Sequence, residues 1–550
     1  MRTFQTEVEN IACTCGDFIA SKTVLVKVFD KQKLIAKHHF GIINMDEVYQ
    51  KIVNQQPINI SNGYIRNFSL IHLKKQHNID LSTKVEIKNM IAKNCFFESE
   101  ELTDFSHSSF SGGVDFSKSI FASGDVSFHN AKFLEGNTKF KEVFFNSDSV
   151  SFQYAKFEKG DVIFQNTVFN SNSTSFVNSS FGEGNVSFKN VDFSESKVNF
   201  HFAKFGKGDK IFDNSIFGSQ GCDFRKVEFN SGKLEFKKVH FGDGEITFDE
   251  SELLDGRVNF RYAIFGNSNK SFRNVDFGKS DVNFDFANFE SGALSFSQSK
   301  VRSISFKGAH LNLYIELKVA LCETIDFTDS VLRGIIDMQP SSVAVTISKL
   351  HLVGLRNLGR IIIDWKFNHV KQLIKNQPNT TLLQKSAQFN ILKENFHSNG
   401  QYEDEDSAYI QFKRFEHRAE LERVYEKGGK YYLKLPYLFF KWVVFDKMGV
   451  YATNPLRVLF SMLVIYCLFS VLYFIIGIMG GGSIINAVGA DDQLSFLQSC
   501  FYHSAITFLT IGYGDFYPTG LERGLSIIEG WSGVFLMSYF TVAFVRKILR

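Results

Sequence analysis

Six consecutive residues, Thr510-Ile511-Gly512-Tyr513-Gly514-Asp515, concentrate the chemistry of this 550-residue chain. Gly512 and Gly514 permit backbone angles that a Cβ opposes. Thr510 adds a hydroxyl and Asp515 a carboxylate. The other reactive side chains form no set: metal-ligand spacing, a phosphate-binding loop and a nucleophile–base arrangement are all lacking in the sequence. An enzyme is therefore not expected. Cys13-x-Cys15 is a weak pair that reads as structural or incidental. Glu403-Asp404-Glu405-Asp406 reads as a solvated helix start, with a regulatory cation site as the remote alternative.

The elements around the six residues are apolar. Residues 456–479 carry one charge, Arg457, near their start. At a rise of about 1.5 Å per residue they reach about 36 Å, enough to cross a bilayer. A second run, 524–545, is interrupted only by Glu529. Between them, residues 496–508 are predicted to form a short apolar helix.

The order span, short helix, Thr-Ile-Gly-Tyr-Gly-Asp, span resembles the two-transmembrane potassium-channel pore family over residues 456–550. The resemblance implies a filter at 510–514, with Gly514 closing it and the carbonyls of Thr510, Ile511, Gly512 and Tyr513 facing potassium ions. Rings of carbonyls replace the water such an ion sheds. It also implies that the Thr510 hydroxyl lies at the inner end, that Tyr513 packs behind the filter and that Asp515 sits at the outer mouth. Thr507 supports the filter, and the short helix directs its negative end at the ions. Potassium is the permeant ligand, with no other cofactor. Four chains must surround the ion, so a homotetramer is implied. Gly533, or alternatively Gly530, lies near the family's bending glycine; close packing is the competing role for either. Two residues depart from the family. Leu509 stands where a second Thr is common. His503 replaces an aromatic and reads as a packing substitute, or as a group titrating near neutral pH.

Lys441, Lys447 and Arg457 precede the first span, and Arg546, Lys547 and Arg550 follow the second. The loop 480–493 has no Lys or Arg but holds Asp491 and Asp492. A multi-pass protein of the plasma (cell inner) membrane with both termini cytoplasmic is expected; Glu522 and Arg523 on the outer side run against the trend. Segment 431–455, with Tyr437, Trp442, Lys441 and Lys447, suits a membrane interface, or else a buried soluble helix. Before it, 379–430 reads as an amphipathic helical linker: Phe389, Leu392 and Phe396, then Ala408, Phe412, Phe415 and Ala419, recur at helical spacing. The sequence stops five residues after Val545, so cytoplasmic control is expected from the N-terminal side, through the linker into the first span. Two other functions compete: a weakly selective cation channel, and a membrane-anchored binding scaffold with a non-conducting pore.

The remaining chain is dominated by Phe, 62 of 550 residues. Every twelfth residue from Phe116 to Phe296 is Phe. A second register runs from Phe121 to Phe289 and lapses at Leu253. A small or β-branched residue stands two places before most of them, as in Val126, Val150, Ala131 and Ala155, with Lys210 and Lys270 as exceptions. An i−2, i pair on one side is a short strand facing a core. Gly124, Gly136, Gly160, Gly184 and Gly208 read as corners. Loop composition alternates in a way that favours coils of twenty-four residues over twelve. The pattern resembles the pentapeptide-repeat family, which implies a right-handed four-sided β-helix over 85–378, regular at 116–300 and irregular after. Residues 1–84 are expected to form a cap or a small mixed domain. The Phe residues are core packing, and any partner of the solenoid is an unknown cytoplasmic ligand or protein. Lys and Arg number 61 against 58 Asp and Glu, a balance that argues against nucleic-acid binding. Seven scattered Cys make no disulfide framework.

Overall fold

The computed structural model describes residues 2–549 except 123, 340–346 and 488–493. It divides into two compact units, Met1–Pro378 and Asn379–Arg550.

The first unit is a parallel β-solenoid. Phe121 pairs with Phe145, Phe145 with Phe169 and Phe193 with Phe217, so one coil takes 24 residues. The walls are sheets of 16, 13, 12 and 6 strands. The reason the coil is 24 residues and not 12 lies in the Phe packing. Successive members of the first register come from opposite walls and meet edge to face: the Phe152 and Phe164 rings lie 5.4 Å apart at 86°. Each then stacks on its counterpart one coil on, Phe152 on Phe176 at 5.0 Å and Phe164 on Phe188 at 4.9 Å, both at 3°. Such pairs add about 0.5–1.5 kcal/mol beyond the area they bury.

A turn follows each of these Phe residues. Ala131 N–H donates to Phe128 O and Ala155 N–H to Phe152 O, both at 3.1 Å. The third residue of the turn is left-handed at every twelfth position from Lys118 to Gln298. That is the demand of a type II turn, and Asn meets it more cheaply than bulkier residues. Asn166, Asn190 and Asn214 occupy it in successive coils and bond side chain to side chain at 2.9 and 3.0 Å. The two exceptional lysines are buried in the coils, each 1 % exposed.

The ends depart from the repeat. Coils begin at Ile58, which pairs with Met90, so the expected boundary at residue 85 falls inside the solenoid. Ile58, Ile60 and Met90 take the inward places there, and without Phe the repeat is faint. Ahead of them, Arg2–Glu9, Thr23–Asp30 and Lys33–Ile42 form an antiparallel meander. It joins the largest wall where Gly41 and Ile42 pair with Gly63 and Tyr64. This region is thus a cap continuous with the solenoid. At the other end, helix Val370–Lys375 buries Val370, Leu373 and Ile374.

The second unit is helical. Leu382–Ser398 opens on a capping box of Thr381 and Gln384. It pairs with Tyr402–Lys427, Phe389 stacking on Phe415 at 5.4 Å. Helix Leu435–Lys441 follows and runs on as a π-helical turn, Trp442–Met448. An elbow then turns the chain into helix Pro455–Ile478, followed by Phe496–Phe508 and Glu522–Ile548. The first and last of these three are long and apolar enough to cross a membrane.

Candidate functional site

The short helix Phe496–Phe508 starts on a capping box. Ser495 Oγ accepts from Gln498 N–H, and Gln498 Oε1 accepts from Ser495 N–H at 2.9 Å. At its far end the next residues fold over the last turn. Ile511 N–H donates to Ile506 O at 2.8 Å and Thr510 N–H to Thr507 O at 3.1 Å. From there the backbone alternates: Thr510, Gly512 and Gly514 have φ of +55°, +60° and +78°, while Ile511 and Tyr513 are not left-handed. In a strand successive carbonyls point to opposite sides; left-handed residues at every second place break that pattern. No atom lies within 4 Å of where a Cβ on Gly512 or Gly514 would sit, so glycine is required by conformation and not by space. A non-glycine residue at φ +55°, Thr510, stores strain at this point.

Thr510 Oγ1 donates to Leu509 O at 2.7 Å. Tyr513 is 72 % exposed, so the packing implied for it behind the filter is not supplied by its own chain. Asp515 is held three times: its Oδ2 accepts from Tyr502 OH at 2.7 Å, its carbonyl accepts from Ala487 N–H at 2.7 Å, and its Oδ1 accepts from Phe516 N–H at 3.1 Å. The second bond continues an antiparallel pair, Ile484–Asn486 with Phe516–Pro518. Neither Tyr502 nor this pair was visible in the sequence pattern. The expected loop acids Asp491 and Asp492 lie outside the described residues.

Behind these residues the three helices are joined by polar groups. Glu529 is completely buried. It accepts from Tyr473 OH of the first long helix at 2.7 Å and from Ser504 Oγ of the short helix. In the sequence it merely interrupts a span; in the fold it ties three helices, which is how a carboxylate is tolerated in an apolar layer. His503 is buried too, its Nε2 3.3 Å from Ser526 Oγ and 3.4 Å from Thr507 Oγ1, its ring edge-on to Tyr473. That setting fits the packing role expected for it, and it accounts for Thr507, whose hydroxyl faces this histidine. Gly533 is a close-approach position, because a Cβ there would lie 2.0 Å from Phe508 O. Gly530 has open space around it, and helix Glu522–Ile548 runs unbroken through both.

The Lys/Arg-flanked ends of the long helices form a second cluster. Asp406 lies 3.0 Å from Arg546 and 3.8 Å from Lys547, and Arg546 also sits 4.5 Å from the Tyr409 ring. Arg414 pairs with Asp446 at 2.8 Å and Lys441 with Glu420 at 3.0 Å. Half of the acidic run 403–406 therefore departs from the solvated reading: Asp406 is ion-paired and Glu405 lies 3.1 Å from His397, both buried. The elbow holds three consecutive left-handed residues, Val450, Tyr451 and Ala452, at φ +48°, +55° and +60°. It is pinned to the last helix by Ala452 N–H, which donates to Tyr539 OH at 2.9 Å.

Two apolar helices flanking a short helix and a glycine-bearing loop are the parts of a pore domain. Residues 461–550 match the family model described as ion channel. No curated protein and no solved structure matches the chain. The chain is a β-solenoid followed by a helical region with two helices long and apolar enough to cross a membrane, residues 461–550 of which match the ion-channel pore family.

Proposed function

We propose that the chain is one subunit of a homotetrameric potassium-selective channel, with residues 510–514 as the filter and its carbonyls as the ion ligands. The observation that carries this is the alternation of left-handed residues at Thr510, Gly512 and Gly514 within a segment that matches an ion-channel family. Four such loops about one axis would give the carbonyl rings that a dehydrated potassium ion needs. The exposure of Tyr513 supports the tetramer, since a neighbouring subunit would supply the ring's missing contacts. Lys441, Lys447, Arg457, Arg546 and Lys547 favour the cytoplasm for both ends of the helical unit, in a plasma-membrane protein.

Control enters through the N-terminal side. Asp406 engages Arg546 and Lys547 directly, so the linker helix acts on the last helix as well as the first. The solenoid, or a ligand on it, biases the pore through this helix pair.

The test is purified protein in planar bilayers with potassium on one side and sodium on the other. A reversal potential near the potassium limit supports the proposal. A value near zero makes it a weakly selective cation channel. Silence in wild-type protein, with flux no different from that of Gly512→Asp, leaves the non-conducting scaffold.

A further inference from the structure

A cavity of about 710 Å³ lies between helix Tyr402–Lys427 and the aromatic segment before the elbow. Its cations are unequally matched. Arg414 is neutralised by Asp446. Arg418 and Lys447 have no carboxylate partner among the described residues. The Arg418 guanidinium lies 5.6 Å from the Phe415 ring, and the Lys447 ammonium 5.2 Å from the Trp442 ring. His417 lines the same cavity, 6 % exposed, and its Nδ1 is buried without a hydrogen-bond partner. The same lining carries hydrocarbon, Leu421 three residues beyond Arg418 on one helix and Leu438 on the facing segment. The cavity therefore asks for one molecule that carries both an oxyanion and hydrocarbon. Its place selects among such molecules: Lys447 O accepts from Arg457 Nε at 3.0 Å, in the first turn of a helix long enough to span a bilayer.

We propose that this cavity binds an acidic phospholipid, its phosphate held by Arg418 and Lys447 and its acyl chains along Leu421 and Leu438. An ammonium or guanidinium bonded to phosphate oxygen is among the stronger charge-assisted contacts, and each basic group near an anionic lipid surface adds to the attraction. A free phosphate shares the headgroup chemistry, yet it leaves the apolar lining unused and most of the volume empty. The bound lipid braces the linker helix against the aromatic segment, beside the Asp406–Arg546 contact. The inference rests on the membrane placement of the two long helices and is independent of potassium selectivity.

The experiment uses full-length protein in detergent, with lipid retention read by native mass spectrometry. Dioleoyl-phosphatidylglycerol is expected to be retained roughly tenfold over dioleoyl-phosphatidylcholine. Arg418→Gln with Lys447→Gln abolishes that preference. Arg418→Lys with Lys447→Arg keeps it and guards against a folding defect, as does Lys430→Gln with Lys434→Gln outside the cavity. Equal retention of the two lipids by wild-type protein overturns the proposal, and so does a preference that survives the Gln pair. Displacement of phosphatidylglycerol by millimolar inorganic phosphate also overturns it, in favour of a free-anion site. Ion flux plays no part in the readout, so failure here and failure of the channel proposal are separate events.

Discussion

Lys270 sits where the repeat calls for an apolar residue. Its strand neighbours one coil away are Ile246 and Leu294. Its Nζ donates to Ser268 O at 2.6 Å, to Ser291 O at 2.8 Å and to Gly266 O. Burial pushes its pKa down to about 8 from the ordinary 10.5, with Glu290 and Asp243 pulling the other way. That gap of about 2.5 units corresponds to about 3.4 kcal/mol as a ceiling. The effective dielectric around a buried charge is about 20 rather than that of a dry interior, so about 1–2 kcal/mol is the usable figure.

The sign follows from proton binding. Between pH 8 and 10.5 the unfolded lysine holds a proton that the folded one releases, so stability rises with pH across that window. Below pH 8 both forms are protonated and the full penalty remains. Lys210 is pushed down to about 8 by burial in the same way, so it contributes a second, similar slope. Lys270→Met should remove its share, and Lys210→Met with Lys270→Met nearly all of it. The absolute stability of Lys270→Met is a poor readout, because the change also strips three carbonyls of a donor, at about 1 kcal/mol apiece. The slope is free of that term. The assay is thermal melting of the β-sheet circular-dichroism signal of full-length protein in detergent, at steps from pH 7 to 10. Parallel pH curves for wild type and the double variant would refute the reasoning.

In the Phe core, Phe212 stacks on Phe188 at 4.9 Å and on Phe236 at 4.7 Å. Phe212→Ala should cost about 3–5 kcal/mol in the same melting assay, against less than about 1 kcal/mol for Phe202→Ala on the coil surface. Asp406→Asn should shift the open–closed equilibrium of single channels several-fold, from loss of about 1 kcal/mol at a partly buried pair. Asp406→Arg with Arg546→Asp should restore it, and an unchanged open probability in Asp406→Asn argues that the contact is idle. Glu529→Leu leaves the Tyr473 hydroxyl buried without its acceptor, at about 1–3 kcal/mol, and leaves Ser504 Oγ with only its longer bond to Tyr466 O at 3.3 Å. Its melting temperature should fall well below that of Glu529→Gln, which keeps an oxygen in place.

What could be read in advance follows the range of the interaction. The Phe ladder declares itself because its period is a whole number of residues and every member meets the same demand. The helix 496–508 and the two spans are similarly local, set by caps and by runs of apolar side chains. The first coils, read in the sequence as an irregular stretch from Asn59-Ile60 to Phe97, give a faint signal because Ile58, Ile60 and Met90 satisfy the core without Phe. The left-handed turn hid because only some of its positions are Asn; Tyr154, Phe202 and Tyr262 adopt the same angle. At the candidate site the filter-like run was plain, but its supports were not. Glu529 and Tyr473 are 56 residues apart, and Asp406 and Arg546 are 140. No local pattern joins such pairs, so they become visible only when the helices are set side by side.

The 24-residue register has one more consequence. Because Phe recurs every 12 residues while the walls repeat every 24, the solenoid is a ruler with two kinds of graduation. Removing 24 residues, from Phe152 to Ser175, would take out one coil and leave every later wall where it was, one strand spacing of about 4.8 Å nearer. Removing 12 would keep every Phe in phase and still exchange opposite walls from that point on. The exit of the chain at Pro378 would then leave from the other side of the rod. Length and exit direction are thus separately adjustable by whole units of sequence, with the aromatic core indifferent to either change.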